Sequence, residues 1–478
     1  MNHFWPVITG LRSDVIYGLG LVLAVAVTLH ILLRKREIAS AVGWIGLVWF
    51  APMMGAAAYA LLGVNRVQRR ARRLRPPDRS GAGGPGRPGP REDDHLDPLA
   101  RGIGRITARP LLETWDVTVL HDGDEAYPAM LEAIAKAKAS IGLSSYILRD
   151  DVWGGRFIDA VAAAHGRGLT VRVLVDGVGG GWLASAAYRH LMRKGVPACR
   201  FLHEVLPWRM PFLNLRSHKK ILVVDGLLGF TGGINIAAQN VLAERPKDPV
   251  QDTHLRFDGP VVRQLTDAFV QDWSFAAEEE LDLAAWFPDM PEPSPDVRRI
   301  PARVIDSGPD EDVEKIEFAI LQAVACARTS ILVMTPYFLP DERLISALAM
   351  AAMRGVAVDV VVPEISDHRM VDWAVHANCG PLLRDGARIW RSPPPFRHSK
   401  VMVVDSEWVL MGSCNWDMRS FRLNFELCLE LYDATLAKTL TALVRANMAH
   451  ELTRQELDAR PVGIRLRDAA ARLAMPYL

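Results

Sequence analysis

Two histidines, two lysines and two asparagines recur at matched spacing in this chain. Ser217-His218-Lys219-Lys220 runs through Ile221-Leu222-Val223-Val224 to Asp225 and, after six intervening residues, to Gly232-Gly233-Ile234-Asn235. His398-Ser399-Lys400 runs through Val401-Met402-Val403-Val404 to Asp405 and, after six intervening residues, to Gly412-Ser413-Cys414-Asn415. A lone His-x-Lys carries no information, but two copies of the whole pattern describe one active site built from two repeats. Lys220, Lys400, Asn235, Asn415, Ser413 and the backbone amides that Gly232, Gly233 and Gly412 leave accessible suit a tetrahedral anion, most simply a phosphate. His218 and His398 supply a nucleophile and a proton donor for the leaving oxygen. With no carboxylate cluster or Cys/His ligand set beside them, the expectation is chemistry without a metal or other cofactor, the lysines stabilising transition-state charge.

Side chains alternate along a strand, so His218 and Lys220 share a face and Asp225 takes the other, as do His398, Lys400 and Asp405. The aspartates belong to the catalytic motif by position, yet parity has them anchor the strand end from behind. A nucleophilic imidazole also needs an acceptor for its far nitrogen. Asp252 and Glu426 occupy parallel places after the first and second motifs and are the candidates for that orienting role.

The elements that must carry these groups are themselves repeated. Ile134-Ala135-Lys136-Ala137-Lys138-Ala139-Ser140-Ile141 has its counterpart in Val324-Ala325-Cys326-Ala327-Arg328-Thr329-Ser330-Ile331, and Arg167-Gly168 through Val175 in Arg354-Gly355 through Val362. All offsets are on the order of 180 to 190 residues. Amphipathic helices alternating with short Val/Ile/Leu runs predict two tandem α/β halves with covered, largely parallel sheets, the halves facing each other across the shared site. The stretch Pro288 to Pro301 reads as their boundary.

Before the repeats, apolar runs over about 15–33 and 41–64 have the length and composition of two transmembrane helices. Arg34, Lys35 and Arg36 lie between them, and Arg66, Arg69, Arg70, Arg72, Arg73 and Arg75 follow; the larger cluster favours a cytoplasmic body, whereas the short basic loop suits a shallow hairpin. The expected organisation is a membrane hairpin with its basic stretch (1–75), a Pro/Gly-rich linker (76–110), two halves (111–295 and 296–460) and an amphipathic tail (461–478). A formal net charge of +1 over 478 residues gives no global sign of nucleic-acid binding. Five scattered cysteines, none in a C-x-x-C pair, argue against a disulfide framework or zinc site.

Paired H-x-K-x4-D-x6-G-[GS]-x-N motifs resemble those of the phospholipase D superfamily. With the apolar hairpin, the chain is similar to its bacterial cardiolipin synthases. Asp122-Gly123-Asp124-Glu125-Ala126, Thr335-Pro336-Tyr337-Phe338 and Gly412-Ser413-Cys414-Asn415-Trp416-Asp417-Met418-Arg419-Ser420-Phe421 are further landmarks of that likeness. The resemblance implies a membrane-bound phosphatidyltransferase of the bacterial inner membrane, with phosphatidylglycerol as substrate and a phosphatidyl-histidine intermediate. By analogy His218 is the nucleophile and His398 the acid/base, although the Gly233/Ser413 difference between the halves does not settle the order. Hydrolysis to phosphatidic acid, synthesis of another phospholipid and, less readily, phosphodiester cleavage in nucleic acid are the alternatives. Two positions depart from the pattern: Ser144-Ser145-Tyr146 stands where Glu-Thr-Tyr is common, and Cys414 stands where a small residue such as Ala is usual.

Overall fold

The computed structural model describes residues 4–34, 38–60, 95–181, 185–202, 215–309 and 312–475. The basic stretch after Val64 and the Pro/Gly-rich sequence up to Asp94 lie outside these residues, as do Lys35 and Arg36. The chain forms two compact units, 1–70 and 71–478.

The first unit holds α1 (Phe4–Arg34), α2 (Ile38–Phe50) and α3 (Pro52–Ala58). The second apolar run is divided at Pro52, which has no N–H to donate and therefore opens α3 rather than continuing α2. A Cβ on Gly55 would lie 2.7 Å from the Leu47 carbonyl oxygen, so only glycine lets α3 fold back this closely on α2. Trp49 donates to Thr28 Oγ1 at 3.1 Å and Tyr59 Oη lies 2.8 Å from His30 Nδ1, which ties α1 to the other two helices. Among the described residues, no helix is long and apolar enough to cross a membrane.

The second unit carries two sheets with one topology. The strands are β1 (Leu112–Thr114), β2 (Val117–His121), β3 (Ser140–Ser145), β4 (Thr170–Asp176), β5 (Ala198–Phe201), β6 (Ile221–Val224), β7 (Leu228–Gly232) and β8 (Thr253–Asp258). They continue as β9 (Ile300–Ser307), β10 (Ser330–Met334), β11 (Ala357–Pro363), β12 (Arg388–Ser392), β13 (Val401–Val404), β14 (Trp408–Gly412), β15 (Asn424–Tyr432) and β16 (His450–Leu452). The first sheet runs β2-β8-β7-β6-β3-β4-β5 and the second repeats it as β9-β15-β14-β13-β10-β11-β12, with β1 and β16 added at its edges.

These sheets are mixed, which corrects the expectation of largely parallel ones. Among the strands numbered above, β3-β4-β5 and β10-β11-β12 run parallel, while the motif strands β6 and β13 pair antiparallel on both sides. The cause is local. Asp225 and Gly226 have φ of 54° and 65°, and Asp405 and Ser406 of 51° and 57°, so each motif strand turns straight into a hairpin.

Each sheet buries its outer face under its own helices. The first-half cluster includes Tyr127, Phe157, Val171 and Leu222, and the second-half cluster includes Ile320, Val333, Leu348 and Met402. Between them lies a third cluster to which both sheets contribute, Val223 and Phe257 from one, Val403 and Leu429 from the other. Helices α5 (Val262–Ala277) and α7 (Ala434–Ala446) add Phe269 and Leu440 to it. The stretch expected as linker ends in another helix, α4 (Asp97–Thr107), whose Leu99 and Ile103 are buried in the second-half core. Arg303 Nη2 donates to the Ala100 carbonyl at 2.9 Å and holds it there.

Candidate active site

Each His-x-Lys segment crosses from one sheet to the other. Arg216–Ser217 pairs in parallel with Asn424–Phe425 at the start of β15, then the chain enters β6 of its own sheet at Ile221. Phe396–Arg397 likewise pairs with Val250–Gln251, just before β8, then enters β13 at Val401. The histidines sit on the crossings and are bolted by their backbones to the opposite half. His218 N–H donates to the Phe425 carbonyl at 2.9 Å and His398 N–H to the Gln251 carbonyl at 2.7 Å.

The residue after each of those acceptors is an orienting carboxylate. Glu426 Oε2 lies 3.0 Å from His218 Nδ1, and Asp252 Oδ2 lies 2.7 Å from His398 Nδ1. The Ser413 carbonyl, 2.9 Å away, is a second acceptor for His218 Nδ1. Each half therefore orients the histidine of the other. Because Nδ1 faces acceptors in both cases, each neutral imidazole carries its proton there and presents the Nε2 lone pair. The two rings stand 6.3 Å apart, centroid to centroid, at 78°.

The electrostatics agree with that tautomer. Burial holds His218 down to about 4, outweighing Glu426, and burial together with Lys400 lowers His398. Burial pushes both carboxyls up, but the opposite histidine's charge and hydrogen bond, aided by the lysines, bring Asp252 and Glu426 below the usual carboxylate range. The lysines are depressed by burial, Lys220 to about 7 with Lys400 adding to it, and Lys400 to about 8. Lys220 Nζ donates to the His218 carbonyl at 2.7 Å; Lys400 Nζ lies 2.9 Å from His398 Nε2. The two ammonium groups donate to the histidines rather than to a carboxylate, which suits them to receive a phosphodiester anion.

Asp225 and Asp405 stand apart from these groups. Asp225 accepts from the backbone N–H of Lys138, Ala139 and Ser140 at 2.7–3.1 Å; Asp405 accepts from Arg328, Thr329 and Ser330 at 2.7–2.9 Å and from His95 Nε2 at 2.9 Å. Both clamp the entry to the neighbouring strand, β3 or β10, behind the site.

The glycine–serine turns serve the carboxylates. A Cβ on Gly233 would lie 2.2 Å from Asp252 Oδ1, whereas Ser413 Oγ donates to Glu426 Oε2 at 2.5 Å. The Gly233 and Ser413 amides bond to the Thr253 and Leu427 carbonyls, so neither is directed at a ligand here. Gly232 and Gly412 pair within their sheets opposite His254 and Cys428. Asn235 Oδ1 accepts from Ile147 N–H at 3.2 Å, while the buried Asn415 Oδ1 has no hydrogen-bond partner. Among the described residues no group of three or more His, Cys, Asp or Glu side chains is placed to hold a metal ion.

Several contributors escaped the sequence reading. The Tyr146 ring lies edge-on to His218 at 4.9 Å, with Lys220 Nζ 5.3 Å from its centroid; Tyr337 and Phe396 flank His398 at 6.4 and 6.0 Å. Lys219, of opposite parity, is buried between Asp272 on α5 and Asp306 on β9, at 2.8 and 2.7 Å. Asp176 accepts from Ser217 N–H at 2.8 Å, fixing the residue before His218. The only sequence signal for these was adjacency to a motif or to a repeated landmark.

A doubled His/Lys site held between two copies of one mixed α/β half defines the phospholipase D class. The family model described as "Cardiolipin synthase, PLD-like domain" matches residues 130–273 and 320–447, and the chain belongs to that family. The major cardiolipin synthase ClsA of Bacillus subtilis (strain 168) is 30% identical over 491 residues, 98% of this chain and 99% of its own length. Cardiolipin synthase A of Pseudomonas fluorescens is 30% identical over 494 residues, the whole of both chains. In fold, the chain is similar to the phosphatidylserine synthase of Haemophilus influenzae Rd KW20, with a TM-score of 0.59 over 80% of this chain and 100% of that one, at 15% identity.

Proposed function

We propose that this phosphatidyltransferase joins two phosphatidylglycerol molecules into cardiolipin with release of glycerol. The observation that carries the reading is the pair of imidazoles 6.3 Å apart, each fixed through Nδ1 by the other half's carboxylate. With His398 entering the cycle protonated on both ring nitrogens, His218 Nε2 attacks the donor phosphorus as the bond from phosphorus to the glycerol oxygen breaks, and the departing oxygen takes the proton from His398 Nε2, leaving His398 neutral with its proton on Nδ1. Glu426 stabilises the positive charge that develops on the His218 ring. The acceptor's hydroxyl then returns its proton to His398 and attacks phosphorus, and the bond to His218 breaks to release cardiolipin. Lys220 and Lys400 balance charge on the non-bridging oxygens throughout. The order is favoured by Lys400, which already lies 2.9 Å from His398 Nε2, whereas Lys220 bonds the His218 carbonyl.

The first unit is the proposed membrane attachment, at the bacterial inner membrane with the catalytic unit on the cytoplasmic side. Leu21, Val22, Leu29, Leu32 and Leu33 on α1 and Val42, Trp49 and Phe50 on α2 are exposed, a surface that suits lipid better than water. The division at Pro52 favours a hairpin over two straight spans. Phospholipid is the proposed substrate class, with no role for nucleic acid.

Purified full-length protein in mixed micelles with phosphatidylglycerol should yield cardiolipin and glycerol by mass spectrometry without added metal. Phosphatidic acid as the sole lipid product would replace transfer by hydrolysis. His218→Ala and His398→Ala should each abolish turnover, and acid-labile phosphate should be trapped at position 218 by denaturing quench of the parent during turnover and be absent from the His218→Ala protein.

A further inference from the structure

The C-terminal helix α8 (Val462–Leu473) takes no part in the chemistry, yet it is built as a two-faced element. One face packs on helix α6 (Arg369–Asn378): Asp468 and Ala471 are buried, Arg460 Nη1 lies 2.9 Å from Asp468, and the Arg467 guanidinium stacks 4.3 Å from the Trp373 ring centroid. On the other face Val462, Leu466 and Leu473 are 70%, 66% and 79% exposed. Their offsets of four and eleven residues, about one and three helical turns, align them in one narrow stripe. Arg465 and Arg472 are exposed alongside it, and the helix's only acidic residue, Asp468, is on the packed side.

This stripe adjoins the active site through α6. Tyr337, which flanks His398, also meets His368 ring to ring at 6.4 Å, and its hydroxyl lies 2.7 Å from Asp367. His368 is the residue from which α6 starts; Ile365 in the loop before it and Met370 in its first turn are 65% and 43% exposed beside an exposed Arg369. Aliphatic side chains and exposed arginines thus occur together both at the rim of the site, where Glu364 and Asp367 are the exposed carboxylates, and on the stripe of α8.

We infer that α8 and residues 365–370, the loop and first turn that open α6, form a docking face for an anionic phospholipid surface, which delivers lipid to the His398 side of the site. The inference rests on the lipid-substrate reading above. Aliphatic side chains aligned beside exposed arginines match an interface in which acyl boundary and negatively charged head groups meet.

Two measurements on the full-length protein test it. A bimane label at Leu466→Cys, in a Cys199→Ser/Cys326→Ser background, should be quenched by doxyl lipid in phosphatidylglycerol nanodiscs and much less in phosphatidylcholine nanodiscs. Quenching in neither, or equally in both, overturns the inference. Val462→Asp/Leu466→Asp should lower turnover of phosphatidylglycerol in vesicles about tenfold, with dihexanoyl phosphatidylglycerol below its micellar concentration turned over as by the parent. Unchanged vesicle turnover, or loss of self-association in detergent with unchanged quenching, overturns it, the latter in favour of a second copy on this face. Absence of turnover by the parent on either lipid would instead strike the proposed reaction.

Discussion

Asp252 Oδ2 lies 2.7 Å from His398 Nδ1, although Asp252 follows the first motif and His398 begins the second. Glu426 repays the arrangement at His218, 3.0 Å away. Removing either carboxyl charge should therefore silence the histidine of the opposite half. Asp252→Asn and Glu426→Gln are each expected to lower kcat about 10²-fold or more, with folding retained. Turnover assays beside thermal melts check this. If Asp252→Asn impaired the His218 step alone, judged by loss of trapped phosphate with the acid step intact, the crossed assignment would fail.

The lysines and His398, which must hold the proton it gives to the leaving oxygen and whose pKa burial and Lys400 lower, together set the alkaline edge of activity. Lys220 and Lys400 lose their protons near about 7 and about 8, so kcat/KM should fall as pH rises through that window and be fullest below it. On the acid side, His218 keeps its lone pair down to about 4. Arginine stays charged far above this range, so in Lys220→Arg/Lys400→Arg the alkaline limb should lose the lysines' share and become shallower, with only the His398 proton left to titrate, even where the maximal rate is lower. A pH–rate profile with the limb unchanged would separate it from the lysines.

Asp225 and Asp405 should behave as stability residues. Each gathers three backbone N–H groups at a strand entry, and losing a hydrogen bond to a charged group costs about 1.5–3 kcal/mol. Asp225→Ala and Asp405→Ala are expected to lower the melting temperature by several degrees while the folded fraction keeps near-parental kcat. Active-site titration of the folded protein distinguishes this from a catalytic loss.

The two turns should not be interchangeable. With only 2.2 Å between a Cβ at Gly233 and Asp252 Oδ1, Gly233→Ser must push the carboxylate off His398 and cost about 10²-fold in kcat. Ser413→Gly removes one hydrogen bond from Glu426, which keeps His218 and Asn424 as partners, and should cost about tenfold or less. Equal effects of the two substitutions would contradict the geometry.

Much of this was readable in one dimension because the repeat writes it twice. Matched spacing singled out His218, Lys220, His398 and Lys400; parity separated Asp225 and Asp405 from them; parallel placement drew attention to Asp252 and Glu426. Which histidine each carboxylate serves depends on Arg216–Ser217 pairing with β15 and Phe396–Arg397 with Val250–Gln251, contacts across about 150 to 210 residues that no local pattern encodes. Strand direction was misread for a related reason. The Val/Ile runs of β6 and β13 have the composition of parallel core strands, and only the left-handed residues after them reveal hairpins. Lys219 stands beside His218 and Lys220 in sequence, whereas its two carboxylate partners come from α5 and from β9 of the other half.

The crossed carboxylates bear on how such a chain could have arisen. A single half contains a histidine and a carboxylate that cannot reach each other, but two identical halves related by a twofold axis would satisfy both, exchanging orienting groups reciprocally. Covalent fusion is thus unnecessary for the first act of catalysis. What it permits is divergence: once the halves are separate stretches of one chain, a bare glycine can crowd one carboxylate while a serine hydroxyl tethers the other, and donor and acceptor need no longer meet the same surroundings.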